Sequence, residues 1–419
     1  MSHREPEFGT GSPVVGQGQA RFATRAVRSG QSPDEATGAH ATPIYQTSTF
    51  VLGSVERGSQ LFDGLLPGDV YSRVGNPTVH AAEEKLASLE GAEASVAFAS
   101  GMGAIAALFI STLESGDEVL YLGPLYGGTR GLLHDLLPKF GVTARSVTGG
   151  ELAGAIGPNT RLIYAETPTN PTLAIHDLSA IGAIGARNGV LTAVDNTFAT
   201  PYLTRPIELG IDVVVHSATK YLGGHGDLLG GFAAGSAELM ATMRGEGLRH
   251  VGAVLDPHAA FLLLRGMRTL HLRMAAHCAN ARAVAHALKG LPGVAAVHYP
   301  GFAEHPNHDV AARQMSDFGG MVSVEFSGGA AAAARFLDSL ELVDHAVSLG
   351  DVASLACVPA ASTHQLLPPD ARSAGGISDA LVRISVGVEE ASDLVADVTQ
   401  AARAVASLGS NPTLLFLFL

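Results

Sequence analysis

At 419 residues, with 47% hydrophobic and 16% charged residues, the chain holds enough apolar material for about two domains with a large core. Its formal charge of -13 argues against nucleic acid or an anionic membrane surface as a partner, and no apolar stretch reaches the ~18 residues of a membrane span. The two cysteines, Cys278 and Cys357, make neither a disulfide framework nor a CxxC site; with no signal peptide in view they point to a reducing cytoplasm, and no metal site is expected.

Residues 1–18 are polar and rich in Gly and Pro, and read as disordered. Asn76-Pro77 starts a helix that runs to Glu90 and stops at Gly91, since Asn before Pro at the first helical position is a strong start signal. A strand at 95–100, a helix at 103–113, a strand at 118–123 and a helix at 128–140 follow. Then come a strand at 161–166, a helix at 178–188, and strands at 190–196 and 212–219. This alternation predicts an α/β fold with a mostly parallel sheet and helices on both faces, and in such sheets ligands bind at the carboxyl ends of the strands. A long helical stretch, 258–288, leads to a smaller α/β unit with strands at 321–326 and 381–386 and a last helix at 391–408. The C-terminal 414–419 (LLFLFL) is too short to cross a bilayer and reads as a packing segment or a vector remnant.

Four lysines are present. Lys85, Lys139 and Lys289 fall in charge-flanked helical stretches and read as solvated surface. Lys220 instead ends the apolar run Ile211–Thr219, where desolvation lowers an amine's pKa and frees it to attack a carbonyl and hold it as a Schiff base; the plain alternative is a lysine snorkelling out of a strand end. Ser100-Gly101-Met102-Gly103, between a strand and a helix, makes an anion cradle from backbone N–H groups and a hydroxyl. Gly101–Ala106 also fits G-x-G-x-x-A, but a dinucleotide would need an acid at the end of the next strand; that strand ends in Gly123-Pro124, so a single phosphate is the better reading. Asp195 ends an apolar strand one β unit before Lys220. It suits a charge-assisted bond to a ring N–H⁺, such as the pyridinium of a pyridoxal cofactor, or else caps the next turn. Tyr126, on a loop at another strand end, suits stacking on a flat ring or ordinary loop packing. Tyr71 and Arg73, two apart on an extended segment, point the same way and suit a phosphate; a surface arginine is the alternative. Arg383, inside the apolar strand 382–386, needs an anion, either a substrate carboxylate or an internal acid.

Together these residues resemble the Cys/Met-metabolism family of pyridoxal-phosphate enzymes, which includes cystathionine γ-synthase, cystathionine γ-lyase, methionine γ-lyase and the homoserine-ester sulfhydrylases. The resemblance spans about residues 25–402 and rests on TPIYQTSTF (42–50), YSRVGNPT (71–78), ASGMGAI, LYGGT, YAETPTNPT (164–172), AVDNTFATP, HSATKYLGGHGD, AVSLGD, ACVPAASTH and GISDALVRISVGVEE. It implies fold type I, the aspartate-aminotransferase-like fold, with an N-terminal arm (1–74), a large domain binding pyridoxal 5'-phosphate (75–265) and a smaller C-terminal α/β domain (266–419). It implies that Lys220 carries the cofactor, Asp195 partners the ring nitrogen and Tyr126 stacks on the ring. Ser100, Gly101, Met102, Ser217 and Thr219 become phosphate ligands, with Tyr71 and Arg73 lent by a second subunit. Asn170 matches the residue bonded to the cofactor's 3-oxygen; Ser348 and Arg383 match the grip on the substrate carboxylate. The unit implied is a homodimer with shared sites, usually paired into a homotetramer, acting on a small amino acid by γ-elimination or γ-replacement; a specialised use of the same chemistry for C–C or C–S bond formation at Cγ is the alternative. Methionine γ-lyases carry a cysteine two residues after the stacking tyrosine, where this chain has Gly128, as the cystathionine enzymes and sulfhydrylases do. Ala353 stands where a glutamate is common in the family. Cys357, placed on the loop before Pro359-Ala360, reads as a small apolar filler or, together with Ala353, as part of the wall around Cγ.

Overall fold

The computed structural model describes residues 20–408 other than 366; the readings for 1–18 and 414–419 lie outside them. The larger sheet has seven strands: β1 (Ala94–Phe98), β2 (Glu118–Leu122), β3 (Thr143–Ser146), β4 (Thr160–Glu166), β5 (Leu191–Asp195), β6 (Val213–Ser217) and β7 (Gly231–Gly235). Their order is β1-β7-β6-β5-β4-β2-β3. Only β7 runs against its neighbours; the ladder from β6 to β3 is parallel throughout. Side chains alternate between faces along a strand. Val119, Tyr121, Leu162, Tyr164 and Ala193 pack in one core cluster, and Leu120, Leu122, Ile163, Ala165 and Val194 in another on the opposite face. An apolar surface on both faces is the mark of a parallel sheet covered by helices on each side.

The second sheet has β8 (Val294–His298), β9 (Met321–Phe326), β10 (Asp344–His345), β11 (Leu355–Cys357) and β12 (Leu381–Ser385), in the order β10-β11-β12-β9-β8. It packs against the helix Ala391–Leu408 through a core of its own, with Val322, Val324, Val382 and Ile384. Arg383 lies on the face away from that core, directly opposite Cys357 on one side and Ser323 on the other.

The helix Pro77–Glu90 is capped as expected. The Asn76 side chain accepts from the Thr78 N–H, and Gly91 takes the left-handed conformation (φ 74°) that a residue with a Cβ resists. Several expectations are corrected. The helix read at 128–140 is α-helical only over Gly127–Gly131; a π turn (Leu132–Leu136) and a 3₁₀ turn (Leu137–Phe140) follow, since Pro138 has no N–H to continue an α-helix. The stretch 258–288 is two helices, Pro257–Arg268 and Leu270–Leu288, separated at Thr269, and the 265/266 division falls inside the first of them. Cys357 lies on strand β11, not on a loop. Strands β3, β7, β8, β10 and β11 come in addition to those expected. No helix among the described residues is long and apolar enough to cross a membrane.

Lys85 is the largest correction. It is completely buried, because the N-terminal helix Phe22–Arg28 lies over it and its Nζ donates to the Ala26 carbonyl at 2.7 Å. Burial, reinforced by the nearby Arg268 guanidinium, pulls its amine from 10.5 to about 7. Between those values folding strips a proton that the unfolded chain keeps. The cost is complete below about pH 7 and gone above about pH 10.5. Lys85→Met should therefore gain on the wild type most at pH 7, and the stability difference between the two should drift by on the order of a few kcal/mol toward the wild type as pH rises to about 10. Chemical denaturation across that range checks it; a pH-independent difference would mean that the amine is solvated.

Candidate active site

The carboxyl ends of the parallel strands meet around a cavity of about 300 Å³. After β1, Ser100 caps the helix Gly101–Thr112, its hydroxyl accepting from the Gly103 N–H at 3.0 Å, and Ser100, Gly101 and Met102 line the floor. Gly101 is required by a close approach: a Cβ there would lie 2.8 Å from Ser217 Cα. After β2 comes Tyr126, 42% exposed and lining the cavity. β4 ends in Glu166, and the loop after it carries Asn170. β5 ends in Asp195; β6 ends in Ser217, with Thr219 and Lys220 in the turn beyond. Ser348 and Arg383 complete the cavity from the C-terminal part of the chain.

Lys220 Nζ donates to Ser348 Oγ at 2.7 Å. Burial first, and then the charge of Arg383, pull its amine from 10.5 to about 8, so a useful fraction is unprotonated near neutrality. Ser348 holds a left-handed backbone (φ 91°) unusual for a residue with a Cβ, a local cost of the kind that functional sites retain. Arg383 is buried; Nη1 donates to Asn170 Oδ1 at 2.9 Å and Nη2 to Ser348 O at 2.8 Å. Both acceptors are neutral, and Nε is buried with no partner among the described residues. A guanidinium in that state calls for an anion in the cavity.

Glu166, which the sequence reading passed over, stands directly opposite Asp195 in the β4–β5 ladder. Its two oxygens accept the N–H groups of Tyr126 at 2.9 Å and Asn170 at 2.8 Å, so one carboxylate positions both loops. Burial, then the neighbouring Asp195, push Glu166 up to about 8. Burial also raises Asp195, against the pull of its bonds to Thr197. One Asp195 oxygen caps the turn, accepting from the Thr197 N–H at 2.9 Å, while the carboxylate still lines the cavity; the two readings of this residue are compatible. The available signal for Glu166 was its place at a strand end, like Asp195 and Lys220. Thr197, Phe198, Leu229, Val347 and Thr363 also line the cavity unforeseen.

Four expected site residues do not line the cavity within this chain. Tyr71 and Arg73 are exposed, with the Arg73 guanidinium 5.5 Å above the Tyr71 ring and its Nη1 donating to Arg249 O; they border a separate depression with Gln46 and Asp256. Ala353 is exposed, its N–H donating to Asp351 Oδ1. Cys357 is buried beside Arg383.

The donor set fits an aromatic phosphate with a cationic ring nitrogen: a glycine cradle at a helix start, a buried acid at a strand end, an exposed ring edge and a desolvated amine. Gly101 and Gly128 differ in what they face. A Cβ on Gly101 meets backbone, whereas one on Gly128 meets side-chain atoms, Tyr126 Cε1 at 2.7 Å and Met102 Sδ at 2.9 Å. Gly101→Ala should cost on the order of 1–3 kcal/mol of stability and Gly128→Ala distinctly less, as read from thermal or urea unfolding. Equal costs would show that Ser217 can retreat from Gly101.

The Cys/Met metabolism PLP-dependent enzyme family matches residues 23–403. The chain is 48% identical to L-methionine γ-lyase of Pseudomonas putida over 92% of its length and 98% of the relative's. It is 43% identical to O-succinylhomoserine sulfhydrylase of Pseudomonas aeruginosa, over 93% and 96% respectively. Its fold is similar to the crystal structure of cystathionine γ-lyase from Lactobacillus plantarum complexed with L-serine, with a TM-score of 0.87 at 39% identity, covering 92% of this chain and 99% of that one. With a match over nearly all of its length and a type I fold that converges on Lys220, the chain belongs to the Cys/Met-metabolism family of pyridoxal-phosphate-dependent enzymes.

Proposed function

We propose that this enzyme performs γ-elimination on a sulfur amino acid of the methionine or cystathionine type. The observation that carries the reading is the desolvated Lys220 amine, bonded to Ser348 and facing a buried Arg383 whose Nε has no partner: a base and a carboxylate receptor a few bonds apart. Pyridoxal phosphate, when bound, supplies the electron sink for chemistry at the substrate's Cα. Ser100, Gly101, Met102, Ser217 and Thr219 hold its phosphate, Asp195 keeps its ring nitrogen protonated, Tyr126 covers the ring and Asn170 faces the 3-oxygen. Arg383, oriented by Asn170 Oδ1 and Ser348 O, binds the substrate carboxylate. Lys220 Nζ takes the proton from Cα and then moves one from Cβ, and Tyr126 gives a proton to the group leaving Cγ.

Tyr71 and Arg73 serve the site of a second subunit. Their exposure supports this, as do the exposed apolar side chains of the same arm, Val51 (92%), Val55 (93%) and Leu65 (73%), which a partner would cover. The unit is a homodimer with shared sites, paired into a homotetramer. Cys278 and Cys357 are buried free thiols, in keeping with a reducing cytoplasm. The helix junction at Thr269 is the natural division between the large and small domains.

A second reading, γ-replacement on an activated homoserine by a thiol or sulfide, is favoured by Gly128. A Cβ there would stand 2.7 Å from Tyr126 Cε1 and 2.9 Å from Met102 Sδ, so glycine lets these two side chains pack this closely, and glycine is what the sulfhydrylases carry at this place. Ammonia and a 2-oxo acid formed from methionine or cystathionine without added nucleophile establish elimination; product formed only from an acyl-homoserine with added sulfide establishes replacement.

Lys220→Ala should remove turnover and the cofactor's yellow colour while the fold persists. Retained colour and rate would sink the assignment. Asp195→Asn should keep the cofactor and lose a few kcal/mol of transition-state stabilisation, roughly a hundredfold in rate. Mixing inactive Arg73→Ala with inactive Lys220→Ala should restore one intact site per mixed dimer; no recovery after proven subunit exchange would rule out a shared site.

A further inference from the structure

Asp195 and Ser217 end the adjacent strands β5 and β6, and both line the cavity. Because strand neighbours alternate in direction, the residues beside them, Asn196 and His216, turn away from the cavity into the protein. There both meet one carboxylate. Glu90 Oε1 lies 2.5 Å from His216 Nε2 and accepts from Asn196 Nδ2 at 3.1 Å. The three residues are 0–1% exposed. Asn196 also donates from Nδ2 to Thr204 O and from its backbone to Val215 O. On the cavity side Thr197 repeats the tie, donating its N–H to Asp195 and accepting the Ser217 N–H on its hydroxyl. The ends of β5 and β6 are thus clamped from front and back.

Glu90 is costly where it stands. It is the last residue of the helix Pro77–Glu90, at the negative end of the backbone dipole, where a carboxylate is disfavoured. It is fully buried, and the nearby Arg205 guanidinium is forked onto Glu208 instead. Glu90 Oε2, His216 Nδ1 and Asn196 Oδ1 are buried with no hydrogen-bond partner among the described residues. A cluster so poorly satisfied is a weak stabiliser. What it does well is aim: one acceptor atom fixes the back of two strand ends whose fronts carry the proposed ring-nitrogen and phosphate anchors.

We propose that Glu90 is a positioning residue for the cofactor, setting through Asn196 and His216 the separation and aim of the Asp195 carboxylate and the Ser217 hydroxyl. This rests on the reading of Asp195 and Ser217 given above. The test uses the full-length protein, stripped of cofactor and titrated with pyridoxal phosphate. Glu90→Gln keeps the shared acceptor and should leave the cofactor Kd within about threefold of wild type. Glu90→Met removes it, and Glu90→Asp withdraws it by one methylene; both should raise the cofactor Kd by about tenfold or more, as loss of an outer partner of a ligating group does. Both should also alter the visible circular dichroism of the bound cofactor, which reports its orientation. Should Glu90→Met fail to fold, Glu90→Asp carries the comparison. Wild-type Kd and dichroism in the Asp and Met variants would overturn the proposal. So would a Gln variant as impaired as Met, since that would mark a loss of structure and not of aim. Asp195→Asn, run alongside and read by turnover, separates the two levels: if it loses its rate while the Glu90 variants bind and orient the cofactor as wild type does, only the role of Glu90 fails, and if its turnover is unimpaired, the ring-nitrogen assignment beneath it fails.

Discussion

The parallel register of β4 and β5 sets two buried carboxylates, Glu166 and Asp195, side by side, and much of the site follows from how that repulsion is managed. Burial, and then the neighbouring Asp195, raise Glu166, while burial raises Asp195. The fold answers with backbone N–H groups on Glu166, with Thr197 on Asp195, and with two cations, Lys220 and Arg383, on the opposite wall. The cations are themselves crowded: Arg383 lowers the Lys220 amine, and Lys220 leans on a hydroxyl, not on an acid. A cofactor with a cationic ring nitrogen and an anionic phosphate complements this arrangement of charges.

That pattern exists only because the small sheet reaches into the large one. Arg383 belongs to β12, yet both of its hydrogen bonds leave that strand, one for Asn170 and one for Ser348. Neighbouring bonds hold the same junction: Ser323 Oγ donates to Pro171 O, and the Gly350 N–H to Ser385 Oγ. At Gly350 the chain passes so close to the turn after Lys220 that a Cβ would sit 2.5 Å from the Tyr221 nitrogen. The strained Ser348 is two residues earlier. Backbone strain at 348 and the bare glycine at 350 are two consequences of threading one segment between Lys220 and the arginine strand.

Much of this was legible in the residues themselves. Asp195, Lys220 and Arg383 announce themselves as charges at the ends of, or inside, apolar β-branched runs, and Asn76-Pro77 with Gly91 bounds its helix without help from the rest of the chain. The failures share one cause, which is that burial by a distant segment leaves no local trace. Lys85 lies in a stretch full of charges, and only the arrival of the helix Phe22–Arg28 takes it out of water. Glu166 looks like any strand-end acid until the register brings Asp195 beside it. Strand β7, Gly231–Gly235, is built from residues of poor strand propensity and is held by pairing on both edges. Ala353 and Cys357 sit near Ser348 in sequence, but pairing of β11 with β12 draws Cys357 in behind Arg383 and leaves Ala353 outside.

The same division separates the buried groups of the cavity from its exposed mouth. The charged groups of the cavity lie at strand ends (Glu166, Asp195), in the turn just beyond one (Lys220) or inside a strand (Arg383), and a ladder of backbone hydrogen bonds with buried cores on its faces sets their positions. The apolar groups at its mouth, Leu229 and Val347, are 67% and 56% exposed and come from loops of separate parts of the chain. Proteins named for elimination and for sulfhydrylation resemble this chain at 48% and 43% identity over nearly their whole lengths, so both names go with chains similar to this one from end to end. Loops can change at that mouth without disturbing the register that holds Glu166 against Asp195.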